Sequence, residues 1–257
     1  MKKYLEAMRC EFKFHLNYRL NLFFGVSYHP IILLVYYFLW TFIYRAGGSI
    51  GDYSLGGMLT YYLITGLLGM FVPIFAYYTM TENIKKGDLI FFLTRPLDFL
   101  GYYYFAILTG CLIWSMSAII VSLPFILWWR NILIFPCING MLKGLIFTII
   151  AFNMALTLGF ILNLLTFFIG DPFGISGFYD FLISLLGGWV LPLDVLPGFI
   201  QYLPFKYLYY IPARAFMNYP ISLTKELLNA MLWLVFFFAV IRFMWIMGIK
   251  KYEAFGG

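Results

Sequence analysis

Six long apolar stretches dominate the sequence, at approximately residues 20 to 44, 56 to 79, 100 to 128, 144 to 169, 174 to 196 and 227 to 248. A helix needs roughly 20 apolar residues to cross about 30 Å of hydrocarbon, and each stretch reaches that length. The expected fold is an all-α polytopic membrane protein with six transmembrane helices. The fourth stretch is the cleanest, with no charge from Gly144 to Ile169. The fifth is the weakest, because it carries Asp180 and runs into Pro192 and Asp194. Composition agrees: 63% of the 257 residues are hydrophobic and 11% charged, with a mean hydropathy of +0.90. Soluble chains are about a quarter charged. Six spans with short connections use up the length, so residues 1–257 are expected to form one membrane unit with no sizeable soluble domain.

Residues 1–19 read as a helix with Leu5, Met8, Phe12 and Leu16 on one stripe and Lys2, Glu6, Arg9 and Lys13 on its neighbour. Such a helix suits the membrane interface, and a basic flank of the first span is an equal reading. Orientation follows the lysines and arginines. With the N-terminus cytoplasmic, the inner side receives Lys2, Lys3, Arg9, Lys13, Arg19, Lys85, Lys86, Arg95, Arg242, Lys250 and Lys251. The outer side receives Arg45, Arg130, Lys143, Lys206, Arg214 and Lys225, which divides the 17 basic residues 11 to 6. Both termini are therefore expected to be cytoplasmic. Aromatic pairs such as Tyr77-Tyr78 and Trp128-Trp129 fall near the span ends, where amphipathic rings anchor at the bilayer boundary.

The net charge of +6 is scattered between apolar runs, so it reads as topology signal and not as a nucleic-acid footprint. Cys10, Cys111 and Cys137 show no C-x-x-C spacing, and no H-E-x-x-H marks a metal site. The residues from Gly47 to Gly51 match G-x-S-x-G, but in an expected outer loop and not on a strand-to-helix turn. Asp171 and Asp180 are nine residues apart across a proline-containing loop and read as flanks of a span end. The sequence contains no G-x-x-x-x-G-K-[ST] phosphate loop, so any ATP must be hydrolysed on another chain. No catalytic chemistry, metal or cofactor is expected in this one.

Two connecting regions are more informative. In residues 81–98 (T-E-N-I-K-K-G-D-L-I-F-F-L-T-R-P-L-D), Thr81 can cap a short helix, Glu82 suits its first turn, and Pro96 ends it. Ile84, Leu89, Ile90 and Leu93 supply apolar anchors, which makes the segment a docking helix or a plain interfacial loop. In residues 189–214, Pro192, Pro197, Pro204 and Pro212 forbid one straight helix. Broken backbone at membrane depth needs shielding by protein or a wet cavity, so short re-entrant helices or an amphipathic surface loop are expected across residues 192–222.

At these regions the sequence resembles the ABC-2 type permeases, in a branch of small six-span proteins. The resemblance rests on G-D-L-I-F-F-L-T-R-P-L-D at residues 87–98, P-L-D-V-L-P, L-P-F-K-Y-L-Y-Y-I-P-A-R, and the ending K-K-Y-E-A-F-G-G. It implies an amphipathic N-terminal connecting helix, a coupling helix at residues 81–96 and re-entrant outer helices between spans five and six. It also implies a second permease, identical or paralogous, and a dimer of ATPase subunits that carries the ATP and Mg. Carried onto this chain, Glu82, Ile84, Lys85, Lys86, Asp88, Leu89, Ile90, Leu93, Arg95 and Pro96 would meet the ATPase. Pro192, Asp194, Pro197, Pro204, Tyr207 and Pro212 would shape an outer gate. The expected location is a prokaryotic cell membrane.

Asn153, Asn163 and Arg242 are intramembrane polar candidates for lining a path, although asparagines also join helices and an arginine near a span end snorkels. A weakly charged, aromatic interior suits hydrophobic or amphipathic cargo such as drugs, peptides or lipids. The same aromatic content also suits surfaces packed against lipid. The competing classes are a secondary transporter or channel, which would usually show inverted repeats or mid-span ionisable residues, and a noncatalytic membrane scaffold.

Overall fold

A computed structural model of the chain describes residues 2–48, 51–74, 81, 98–170 and 172–251. The regular elements described are all helical: α1 (Lys2–Asn17), α2 (Arg19–Arg45), α3 (Leu55–Phe71), α4 (Phe99–Trp128), α5 (Ile138–Leu164), the single turn α6 (Thr166–Ile169), α7 (Phe173–Leu186), α8 (Tyr210–Phe216) and α9 (Leu223–Lys251). Three short 3-10 helices, Leu193–Val195, Gly198–Tyr202 and Pro204–Tyr207, lie between α7 and α8.

Among the described residues, four helical stretches are long and apolar enough to cross a membrane: Arg19–Arg45, Phe99–Trp128, Ile138–Ile169 and Leu223–Lys251. They correspond to the first, third, fourth and sixth expected spans. The other two differ from expectation. Helix α3 has 17 residues and stops at Phe71, ahead of Pro73. Helix α7 has 14 residues and stops at Leu186, where a span to residue 196 was expected. Fourteen residues reach about 21 Å, short of the roughly 30 Å of hydrocarbon. The cause is local: Gly188 turns the chain at φ +87°, and a side chain there would strike the Tyr61 hydroxyl and Tyr210.

Contacts sort the element ends into two groups. At one end, Thr81 meets Asn163, Trp245 stacks on Phe99, Lys251 lies over the Phe168 ring, and Tyr4 meets Phe105. At the other, Ile134 bonds to Thr60, Cys137 to Asn218, and Tyr53 to Asp194. Tyr53 and Thr81, which stand on either side of α3, thus lie at opposite ends. Both described chain ends lie at the first end.

Helix α1 forms as expected but packs differently. Tyr4 lies 5.0 Å from the Phe105 ring, and His15 lies 6.1 Å from Trp114. Glu11 and His15 flank Gly110 between them. These contacts advance in step, so α1 runs along the first half of α4 and does not lie flat across it. Its Leu5, Phe12 and Leu16 stripe stays exposed. Burial against α4 also raises the Glu11 carboxyl above its ordinary value, partly offset by His15.

The core centres on α5, which is buried along most of its length, whereas α2, α4 and α9 leave most of their apolar surface uncovered. Phe42, Leu232 and Val235 are among the exposed side chains. Helices this apolar with such faces uncovered are suited to a membrane. Local capping is provided by polar side chains: Ser54 Oγ accepts from Gly57 N at 3.1 Å, and Asp98 Oδ2 accepts from Gly101 N at 2.6 Å.

Close approach at Gly56 is enforced by backbone. A Cβ there would collide with the carbonyl oxygen of Ile132, which has no rotamer by which to retreat. Gly56→Ala is therefore expected to lower stability by roughly 1–3 kcal/mol, as overpacking typically does. Thermal unfolding in detergent measures it. Gly57→Ala is the control, because its Cβ would meet nothing closer than 3.4 Å.

Candidate functional site

The expected docking residues, Glu82, Ile84, Lys85, Lys86, Asp88, Leu89, Ile90, Leu93, Arg95 and Pro96, lie outside the described residues. The flanks of the segment are described. Thr81 is buried, and its hydroxyl donates to Asn163 Oδ1 at 2.7 Å. Asn163 in turn donates to the Gly159 carbonyl at 3.0 Å. Thr81 is thereby tied to α5, and Asp98 caps the start of α4.

The proline-rich segment at the opposite end is folded by a simple rule. Pro192 and Pro197 stand immediately before two of the 3-10 helices, and Pro204 opens the third. Pro212 occupies the first turn of α8. Each sits where a helix start has no acceptor for an N–H, so none costs a hydrogen bond.

Asp194 holds this segment together. Its Oδ2 accepts from the Tyr53 hydroxyl at 2.7 Å, and its Oδ1 accepts from Tyr210 at 2.5 Å and from Arg214 Nη1 at 2.6 Å. Arg214 also lies 4.8 Å from the Tyr219 ring centre. Burial, then the bond to Asp194, raises the Tyr53 hydroxyl well above its ordinary value. A raised folded value means that its contribution is fully present below tyrosine's usual range and is lost as pH climbs through the raised one. Tyr53 is therefore a donor throughout the physiological range.

Helix α3 supplies two further ties. Tyr61 donates to the Gly188 carbonyl at 2.5 Å, and Tyr62 donates to Val190 at 2.9 Å. Both carbonyls lie where α7 has ended and lack helical partners. Tyr207, expected at an outer gate, is fully buried and donates to Glu226 Oε2 at 2.8 Å, where Lys206 Nζ also sits at 2.7 Å. The outer segment is thus pinned to α3 by the Tyr61 and Tyr62 hydroxyls and to α9 by the Tyr207 hydroxyl and the Lys206–Glu226 ion pair, while the Arg214–Asp194 pair ties it together from within.

The three polar path candidates occupy different places. Asn163 joins α5 to Thr81. Asn153 donates to Ile149 on its own helix at 2.8 Å and accepts from Tyr104 at 3.3 Å. Arg242 is exposed on α9. None of the three lines an apolar chamber of about 610 Å³ that lies between α3, α4 and α5. Its walls include Leu67, Phe71, Ile119, Leu145 and Ile149, with Phe216 of α8 among them. The hydroxyls lining it, Ser115 and Thr148, are satisfied by Leu112 and Gly144 carbonyls at 3.1 and 2.8 Å. The chamber therefore offers hydrocarbon surface within the usual ligand-site range of about 300–1,000 Å³. Sequence inspection missed it, because its lining residues are ordinary apolar positions one helical turn apart.

Among the described residues, no group of three or more His, Cys, Asp or Glu could hold a metal. His29 packs against Gly66 and lies 2.9 Å from Ser122 Oγ, bridging α2 and α4.

Residues 31–256 match the family described as ABC-2 family transporter protein. No curated protein matches the sequence. The match takes in every described helix from the middle of α2 onward, together with residues 81–96, the Asp194 network and the apolar chamber. The chain belongs to the ABC-2 transporter family, whose members are membrane transport components.

Proposed function

We propose that this chain is the permease subunit of an ATP-binding cassette exporter that moves a hydrophobic or amphipathic molecule, such as a drug, peptide or lipid, out across a prokaryotic cell membrane. ATP and Mg are bound by ATPase subunits on separate chains, and two permeases, identical or paralogous, share an ATPase dimer. The observation that carries the reading is the pairing of a family match over residues 31–256 with an apolar chamber whose hydroxyls are already satisfied. A chain with no phosphate loop needs a partner to use ATP.

Helix α3 connects the two working ends. Its C-terminal end leads toward residues 81–96, and its middle carries the Tyr61 and Tyr62 bonds to the outer segment. Closure of the ATPases around ATP pushes the docking helix, and α3 and α5 pass that displacement to the Asp194 network and to the chamber walls. ATP biases this equilibrium only by the difference in its affinity for the two states. Affinity purification of the tagged chain from its native membrane is expected to bring down an ATPase subunit in near-equal amount. Isolation of a stable, transport-competent chain with no such subunit contradicts the reading.

A further inference from the structure

A polar pocket of about 300 Å³ lies at the Asp194 end of the bundle, lined by Gln201, Lys206, Lys225, Glu226, Asn229 and Trp233 among others. The permease reading gives it no task. Lys206 is buried at 8% exposure and balances the charge of Glu226, which also accepts from the Tyr207 hydroxyl. Lys225, Gln201 and Asn229 have no hydrogen-bond or ion-pair partner among the described residues. One positive charge and two amide groups are thus left over in one cavity, and a single anionic group answers all three.

The depth of the pocket adds a second requirement. Glu226, Asn229 and Trp233 share one face of α9, and the nine residues from Lys225 to Trp233 span about 12 Å of helix. The apolar run of α9 begins at Leu227, so the pocket opens at the polar rim and descends beside the membrane-spanning part. At its lower end Trp233 stacks on Phe237 with ring centres 5.7 Å apart. Indole at that depth favours contact with methylene groups.

We propose that this pocket binds an anionic amphiphile, with a phosphate or carboxylate headgroup at Lys225, Gln201 and Asn229 and the first part of an apolar tail against Trp233. As a statement about cargo it rests on the exporter reading, while binding itself is measured without ATP or ATPase. The probes are dodecyl phosphate and inorganic phosphate, titrated against the full chain in phosphatidylcholine nanodiscs. Dodecyl phosphate is expected to bind at least tenfold tighter than inorganic phosphate. Lys225→Glu is expected to weaken it at least tenfold and Lys225→Arg less than threefold, with unchanged melting temperatures because Lys225 is exposed.

Competition by phosphatidylglycerol would identify a bilayer lipid as the natural source, and its failure to compete would identify transported cargo. Equal affinity for inorganic phosphate overturns the amphiphile assignment, and unchanged affinity in Lys225→Glu overturns the site. Either failure leaves the exporter reading standing, because no transport is measured.

Discussion

Replacing Leu89 and Leu93 together by aspartate is expected to release the ATPase subunit and abolish ATP-dependent transport, while the chain remains inserted and folded. In the proposed permease, Leu89 and Leu93 supply apolar anchors of the 81–96 segment to the ATPase. Anchors of an interface typically contribute about 2 kcal/mol or more each, so losing both costs roughly a thousandfold in affinity. Copurification of the ATPase from membranes measures the effect. Thermal unfolding of the isolated permease is expected to stay within about 0.5 kcal/mol of the parent, as for surface substitutions. Undiminished copurification would remove this segment from the ATPase interface.

The second large effect is expected from Asp194→Ala. It leaves the Arg214 guanidinium and the Tyr53 and Tyr210 hydroxyls without their shared acceptor. Arg214 and Asp194 are 20% and 28% exposed, so solvent compensates only partly. Breaking one side of such a pair costs about 3 kcal/mol. Hydrogen exchange across residues 189–216 should rise sharply, and the tie between α3 and the outer segment should loosen. Arg214→Ala should cost less, because two tyrosines still satisfy Asp194. The double variant should cost less than the sum, because both changes act on one network. Exchange unchanged from the parent would show that the tyrosine bonds from α3 hold the segment alone.

The spans were legible where apolar runs were long and free of interruption. The fourth run, uncharged from Gly144 to Ile169, became the buried centre of the bundle. The fifth was misjudged because hydropathy continues through Gly187, Gly188 and Trp189, whereas the helix does not. A positive φ at Gly188 and the proline beyond it end the helix without any loss of apolar character. The amphipathic pattern of residues 1–19 was visible, but its packing along α4 was not, because that depends on small residues at Gly101 and Gly110 in a distant segment.

At the candidate site, the prolines announced a broken segment, and Asp194 was singled out within it. Its partners were not. Arg214 was counted only as a topology charge, and Tyr53 and Tyr210 were not singled out. The missing signal was physical: a carboxylate among apolar residues requires a cation, and Arg214 is close enough in sequence to supply one. The chamber had no such signal, because apolar residues facing a void and apolar residues facing lipid look alike in sequence.

The most direct test of the central claim is cargo movement in sealed inside-out vesicles that contain the permease with its ATPase. The account predicts uptake of an amphipathic substrate that requires hydrolysable ATP, survives collapse of the ion gradients, and disappears in the Leu89→Asp, Leu93→Asp variant. Uptake driven by an ion gradient in ATP-free vesicles, and retained by that variant, would contradict it.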